Sequence, residues 1–392
     1  MGRRLAIITT HPIQYNAPWF RLLAESGEVT LRVFYTWEQS QSNEKYDPGF
    51  GKVISWDIPL LDGYDYTFVK NISTDPGSHH YKGIDNPSLI SEIKEWKPDY
   101  LLVIGWPFKS HLACMRYFKG KIPVLFRGDS TLLDEQGGYR IILRRAILKY
   151  IYSYIDYALY VGSNNKEYFL KHGIREKDLW YVPHAIDNKR FEGKGNEYEE
   201  LAKNWRKDLG IAETEWVLLF AGKLEDKKNP GFMLQLRDAL NDARFRVVIV
   251  GNGHLEQQLK SEAANNNRIL FLDFQNQNSM PVVYRLGDIF ILPSNGPDET
   301  WGLALNEAMA CERAVIATNK CGGAIDIIKD NGTIISPGDI MGAVAYIRKV
   351  TGSADGLKNA GTRSKEIVAD FSFEHICNNI LSLLKKIPSG KV

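Results

Sequence analysis

Lys223 and Lys228 lie in FAGKLEDKKNP, Phe220 to Pro230, where a run of strand character ends and a helix begins. Two ammonium groups spaced across such a loop can converge on a diphosphate, with Gly222 at the strand end and the helix start near Pro230 close by. By itself the segment reads equally well as a solvated charged turn. A second segment, GPDETWGLALNEAMACERAVIAT, carries Glu299 and Glu307. On one continuous helix the two carboxylates would stand about 12 Å apart and about 80° around the axis, too far to share a ligand. A helix beginning just past Gly302 leaves Glu299 in the preceding loop and Glu307 on the first turns. Both then border a ligand held by the backbone amides from Trp301 through Gly302 and Leu303 to Ala304. Thr300 and Trp301, next to Glu299, are assigned to the sugar or acceptor side. Taken alone, Glu299 is also readable as a surface acid and Glu307 as a partner of the helix dipole. The third segment runs from VGNGHLEQQL to ILFLDFQ and places Gly251, Gly253, Phe274 and Gln275 at two successive strand ends. Backbone groups there can read the edge of a base, glycine permitting the approach. A core role for Phe274 is the competing reading.

These segments need elements to position them, and the chain supplies a regular alternation of short β-rich runs with helical periodicity, the pattern of parallel sheets covered on both faces. The first half predicts strands at 5–9, 29–35, 100–104, 124–126, 157–161 and 180–182. The second predicts them at 217–221, 246–250, 269–272, 289–292, 314–317 and 333–335. A stretch rich in Gly, Asn and charge, 187–198, reads as the link. The expected architecture is α/β: two doubly wound parallel-sheet domains facing across a cleft, spanning 1–190 and 198–372, with a C-terminal helix near 373–388 packing back on the first. Ligands of such sheets bind outside the carboxyl ends of the strands.

Composition narrows the partners. With 392 residues, 49 Lys and Arg against 47 Asp and Glu give a net charge of +2, which provides no general drive toward nucleic acid. Cys114, Cys311, Cys321 and Cys377 are scattered and form no CxxC pair, so neither zinc nor a disulfide framework is suggested. The apolar run after Arg3 and Arg4 is too short for a signal peptide's core, and a cytoplasmic location is expected. No GxGxxG follows the first strand and no Walker loop occurs, which argues against dinucleotide and P-loop chemistry. No Asp-x-Asp occurs either, which argues against a diphosphate held through a metal ion. No cofactor and no metal are expected.

Taken in order, the segments resemble the family-four retaining glycosyltransferases, the glycogen-synthase-like GT-B enzymes. The likeness runs from YVPHAIDNKRF at the link through GKLEDKKNP and VGNGHL to PSNGPDETWGLALNEAMACERAVIAT, ending near NGTIISPGD. It implies that Lys223 and Lys228 clamp a donor diphosphate with Gly222 and the amides of Gly302, Leu303 and Ala304. It further implies that Glu307 binds ribose hydroxyls and Glu299 touches the transferred sugar. The implied reaction moves a hexose-type sugar from a nucleoside-diphosphate sugar, UDP by family frequency, to a saccharide or lipid-linked saccharide acceptor. The family usually has Arg where Lys223 stands; the exchange keeps the charge and loses the planar fork.

The N-terminal half departs further from the family. Its first loop is HPIQYNAP, and the middle strand ends LFRGDST, with Arg127 in the place of the family's histidine. Arg127, Asp129, His11 and Gln14 are the candidates to line the reaction centre. Arginine cannot accept a proton at neutral pH, whereas Asp129 can. Asp129 is equally a turn or capping residue beside Ser130. Other readings are a nucleotide-sugar epimerase on the same fold, an inactive scaffold, and an adhesion tripeptide at Arg127-Gly128-Asp129. Finally, RIILRRAILKYIYSYIDYAL, residues 140–159, sets basic residues beside Ile, Leu and Tyr. It reads either as peripheral contact with the inner face of a membrane or as a helix packed on the first sheet with a solvated basic edge.

Overall fold

The computed structural model describes residues 2–40, 44–47, 52–135, 137–193 and 196–390. The chain divides into two units: residues 1–43, 59–184 and 373–392 form the first, and 44–58 with 185–372 form the second.

The first unit is built on a seven-stranded sheet. Its strands are β1 (Arg3–Thr9), β2 (Val29–Tyr35), β5 (Asp65–Phe68), β6 (Tyr100–Ile104), β7 (Val124–Arg127), β8 (Tyr157–Tyr160) and β9 (Leu179–Tyr181), in the order β5-β2-β1-β6-β7-β8-β9. Every pairing is parallel, with Ile7 of β1 opposite Val33 of β2 and Leu102 of β6. Leu5, Ala6, Ile7 and Ile8 are all fully buried, as expected of a parallel strand covered on both faces. Ala6, Ile8, Val103 and Phe126 pack with Met115, Phe118 and Ile151 in one core. The C-terminal helix, Phe373–Lys386, is tied into this unit: the Tyr100 hydroxyl donates to the Leu384 carbonyl (3.3 Å) and the Trp180 indole N–H to the Asn379 carbonyl (2.8 Å).

The second unit has a six-stranded parallel sheet. Its strands are β10 (Trp216–Ala221), β11 (Phe245–Val250), β12 (Ile269–Leu272), β13 (Ile289–Leu292), β14 (Ala314–Thr318) and β15 (Gly332–Ile335), in the order β12-β11-β10-β13-β14-β15. Leu218, Phe220, Val247, Ile249, Ile289 and Ile316 form the centre of its core. Apart from the extra edge strand β9, the two sheets share one strand order, reversing direction at β1/β6 in the first and at β10/β13 in the second. That reversal opens a crevice at the carboxyl ends of the two central strands.

Three features add to the expected pattern. An antiparallel hairpin, β3 (Glu44–Asp47) with β4 (Lys52–Ser55), interrupts the run between β2 and β5 and counts with the second unit. Asn276 donates to the Ser55 carbonyl (2.6 Å) and the Asn278 side chain to the Asp57 carbonyl (3.0 Å), which anchors the end of β4 and the residues just after it. The link is not continuous coil: Asn188–Glu192 is a short helix capped by Asp187, and a longer helix starts at Glu197. The basic segment 140–159 is not one helix, because the helix Tyr139–Tyr152 stops and residues 157–160 are β8.

Candidate active site

In the second unit the crevice at β10/β13 is where the charged residues gather. The loop leaving β10 carries Gly222 and the half-buried Lys223, then turns through a single 3-10 turn, Asp226–Lys228. Asn229 adopts a left-handed conformation (φ 52°), and the helix Gly231–Leu240 follows. The loop is stitched to the one leaving β13: the Asn295 amide donates to the Lys227 carbonyl (2.9 Å), and Asn229 Nδ2 donates to the Pro293 carbonyl (3.3 Å). These bonds bring Lys228 to Glu299. The ammonium donates to Glu299 Oε2, which also accepts from the buried Ser294 hydroxyl (3.1 Å). The Ser294 carbonyl is in turn held by Thr318 Oγ1 at the end of β14 (2.5 Å). Glu299 is buried, and the Gly322 amide fixes its backbone carbonyl (2.9 Å).

The helix expected just past Gly302 starts there: Leu303–Ala310, with Gly302 as N-cap at φ 92°. A left-handed φ is cheap only for glycine, so this residue type sets the helix start. Glu299 therefore sits in the loop and Glu307 inside the helix. Glu307 is 3 % exposed, and its Oε2 accepts from the Tyr284 hydroxyl at 2.6 Å. The first amides of the helix, beginning at Leu303 and Ala304, follow Gly302. The loops at this end of the sheet thus carry Lys223 and the Lys228–Glu299 pair, followed by a helix N-terminus and the buried Glu307. Such a set suits an anion with hydroxyl groups beside it.

Several predicted residues serve the frame. Trp301, expected beside a sugar, is buried: its Nε1 donates to Asn306 Oδ1 (2.8 Å), and its ring packs on Phe371 at 5.8 Å. Gly251 and Gly253, expected to admit a base, have a nearer reason for their type. A Cβ on Gly251 would overlap the Gly222 carbonyl oxygen, and one on Gly253 the Leu224 carbonyl, because the loops after β10 and β11 lie against each other. Asn252 between them donates to Glu256 (2.9 Å) and Asp273 (3.0 Å) and accepts from the Phe274 amide (2.9 Å), which fixes the turn carrying Phe274 and Gln275. Thr300 is half-buried next to Glu299.

The first unit places its candidates differently. Arg127, expected at a reaction centre, is 4 % exposed and donates to the carbonyls of Val182 (2.6 Å) and Pro183 (2.8 Å), locking the strand after β8. Burial lowers its pKa to about 10, so it stays a cation at neutral pH. A guanidinium committed to two carbonyls is unavailable to an adhesion receptor, which removes the tripeptide reading. Asp129 remains partly exposed, with Oδ2 3.4 Å from His184 Nε2. The His184 pKa is lowered, chiefly by burial and against the pull of Asp129, so the ring is neutral at neutral pH. His184 stands inside YVPHAIDNKRF with no local signal of its own; its place beside Asp129 follows from Arg127 at the end of β7 reaching past β8 to the carbonyls that follow β9. His11 is half-buried, with Nδ1 2.9 Å from Thr10 Oγ1 and its ring edge-on to Trp37 at 5.3 Å. Gln14 is half-buried in the turn leading to the helix Ala17–Glu25. At this unit's own strand reversal His111 is fully buried. Its Nδ1 donates to the Gly105 carbonyl (2.6 Å), its Nε2 meets Thr36 Oγ1 (2.8 Å), and burial holds its pKa near 4. Asp75, His79 and His80 form a His/Asp cluster in the loop after β5, exposed or half-exposed and joined by contacts of 3.2–3.3 Å. No helix among the described residues is long and apolar enough to cross a membrane.

Two doubly wound sheets of one strand order, the second carrying lysines and glutamates at its reversal, define the fold as GT-B. Solved structures agree over nearly the whole chain. Anabaena HepE in complex with UDP matches with a TM-score of 0.70 at 15% identity, covering 98% of this chain and 100% of that one. A Rickettsia africae glycosyltransferase gives 0.71 at 15% identity, with 98% of both chains covered, and WaaG, involved in lipopolysaccharide biosynthesis, gives 0.66 at 15% identity over 97% and 99%.

Residues 202–366 match the family Glycosyl transferases group 1. Among curated proteins it is 24% identical over 310 residues to the Campylobacter jejuni GalNAc-alpha-(1->4)-GalNAc-alpha-(1->3)-diNAcBac-PP-undecaprenol alpha-1,4-N-acetyl-D-galactosaminyltransferase, covering 77% of this chain and 79% of the relative. It is 31% identical over 194 residues to a D-inositol 3-phosphate glycosyltransferase of Geodermatophilus obscurus, covering 45% and 42%. An uncharacterized Methanocaldococcus jannaschii glycosyltransferase aligns over 191 residues at 24% identity, and there the chain spans 48% of the relative's length.

Proposed function

We propose that the protein transfers a hexose-type sugar from a nucleoside-diphosphate sugar to a saccharide or lipid-linked saccharide acceptor, with retention at the anomeric carbon and without a metal ion. The observation that carries this reading is Lys228 held on Glu299 beside the start of the helix bearing Glu307. In the reaction, the bond from the anomeric carbon to the diphosphate oxygen breaks while the acceptor oxygen bonds to the same carbon. The acceptor proton passes to the departing phosphate on the same face of the sugar. Lys223, Lys228 and the amides following Gly302 stabilise the charge growing on the diphosphate, the task a metal ion performs elsewhere. Glu307 takes the ribose hydroxyls, and Glu299 takes the sugar. Phe274 and Gln275 are assigned to the base. Asp129, oriented by His184, is the acceptor-side candidate of the first unit. UDP is the favoured carrier, since the HepE structures are described as complexes with UDP and UDP-glucose. A lipid-linked acceptor is in keeping with the name of the Campylobacter relative.

Thermal shift in excess chelator, against UDP, GDP, ADP and their sugar conjugates, tests the reading, because a ligand that binds only the native state raises its stability by mass action. One diphosphate is expected to raise the melting temperature without added metal. No shift with any of them at saturating concentration, or one that appears only when magnesium or manganese is restored, would refute the site.

A further inference from the structure

The helix Tyr139–Tyr152, YRIILRRAILKYIY, has a feature unusual for a helix on a sheet: it is apolar on two opposite faces. At about 100° per residue, Leu148, Ile151 and Tyr152 share one side, and these are its buried residues, packed in the core of the first unit. Tyr139, Ile142, Leu143, Ala146, Ile147 and Tyr150 fall within an arc of about 140° on the opposite side. That side is open: Tyr139 is 76%, Ile142 68% and Leu143 61% exposed. Single exposed apolar residues need no explanation, but a contiguous stripe of them marks an interaction surface.

Charge selects the occupant. Arg140 and Arg144 line one flank of the stripe, Lys149 and Arg145 the other, and the helix contains no acidic residue. Arg145 is paired with Glu135 at 2.9 Å, the Glu135 side chain being largely buried. Arg140, Arg144 and Lys149 form no ion pair among the described residues. A second copy of this face would set four cations against four, which opposes self-pairing. An apolar stripe with tyrosines, flanked on both sides by cations, fits a surface that is apolar inside and anionic at its boundary. We propose that this face docks on an anionic lipid bilayer, the helix lying in the plane of the headgroups with Ile142, Leu143 and Ile147 reaching toward the acyl chains. This surface lies in the first unit and is independent of the donor-site assignment.

Co-sedimentation of the full chain with phosphatidylcholine vesicles, with and without phosphatidylglycerol, tests it. Binding is expected to the anionic vesicles at low salt, falling as salt screens the cations. Arg140→Gln with Arg144→Gln should weaken binding by about 25-fold, at about fivefold per charge removed from the surface. Ile142→Asp with Leu143→Asp should abolish it. Both double variants should keep the wild-type circular dichroism spectrum and melting temperature, since the altered side chains are exposed. Failure of the wild-type chain to bind anionic vesicles overturns the proposal, as does undiminished binding by the Asp double variant. So does a wild-type dimer that this variant converts to monomer without any vesicle binding, which would make the face a self-interface.

Discussion

The two units share a strand order and differ in what they do with the polar residues at the strand reversal. In the second, Lys228 and Glu299 face each other at β10/β13, with Ser294 beneath and the helix bearing Glu307 alongside. In the first, the residues of comparable polarity are consumed by the backbone: His111 pins the Gly105 carbonyl, and Arg127 holds Val182 and Pro183. One architecture therefore supports opposite uses of a buried charge. Where the partners are side chains on loops, a ligand can displace them; where they are main-chain carbonyls, the charge is part of the fold.

The contrast is broken most directly by exchanging the two cations. Arg127→Gln should destabilise the protein by about 3 to 4 kcal/mol, since a shorter neutral side chain leaves the buried carbonyls of Val182 and Pro183 short of donors. The loss should appear in chemical denaturation with no ligand present. A variant as stable as the wild type but unable to transfer sugar would instead place Arg127 in the reaction.

Lys228→Ala should show the reverse pattern. Nucleoside diphosphate binding is expected to weaken by about 1.5 to 3 kcal/mol, the scale of a charged hydrogen bond, while free nucleoside binds as before. Calorimetry with both ligands separates the cases. Equal losses for the two would make Lys228 a support for the loop after β10, as Arg127 supports β9.

The same contrast explains what the sequence disclosed. All six strands of the second sheet were legible as short apolar runs, the four inner ones buried on both faces and the edge strands β12 and β15 only partly buried, and the helix start was legible because Gly302 is the residue its left-handed conformation requires. β5 was missed: Asp65–Phe68 is an edge strand with no fully buried residue, so it lacks the apolar run. The pair β3/β4 was missed because Glu44–Asp47 and Lys52–Ser55 are short and hold too few apolar residues to show a period. Trp301 was misread because a tryptophan beside a motif glutamate has the same letters whether it faces a sugar or packs on Phe371. Gly251 and Gly253 signalled close approach correctly, but a sequence cannot say that the approaching group is the neighbouring loop. The Asp129–His184 contact joins residues 55 positions apart and has no local signal.

The smallest expected effect divides the two glutamates. Glu307 is buried, and its Oε2 already accepts from Tyr284, so Glu307→Gln keeps that bond while removing the charge that strengthens hydrogen bonds from ribose hydroxyls. Affinity for the sugar donor and for the free diphosphate should fall together, by about 1 kcal/mol. Glu299 stands in another relation to the ligand, because its carboxylate and the diphosphate are both anions competing for the Lys228 ammonium. Glu299→Gln removes that competitor, so free diphosphate should bind at least as tightly as to the wild type. Turnover should nonetheless fall, since the sugar loses its partner and the free nucleotide never had one. Calorimetry with the diphosphate and initial rates with the full donor measure the two quantities separately. If Glu299→Gln lost diphosphate affinity as severely as Glu307→Gln, the carboxylate would be holding Lys228 in place for the phosphate, and Glu299 would belong with Arg127 among the residues that build the frame.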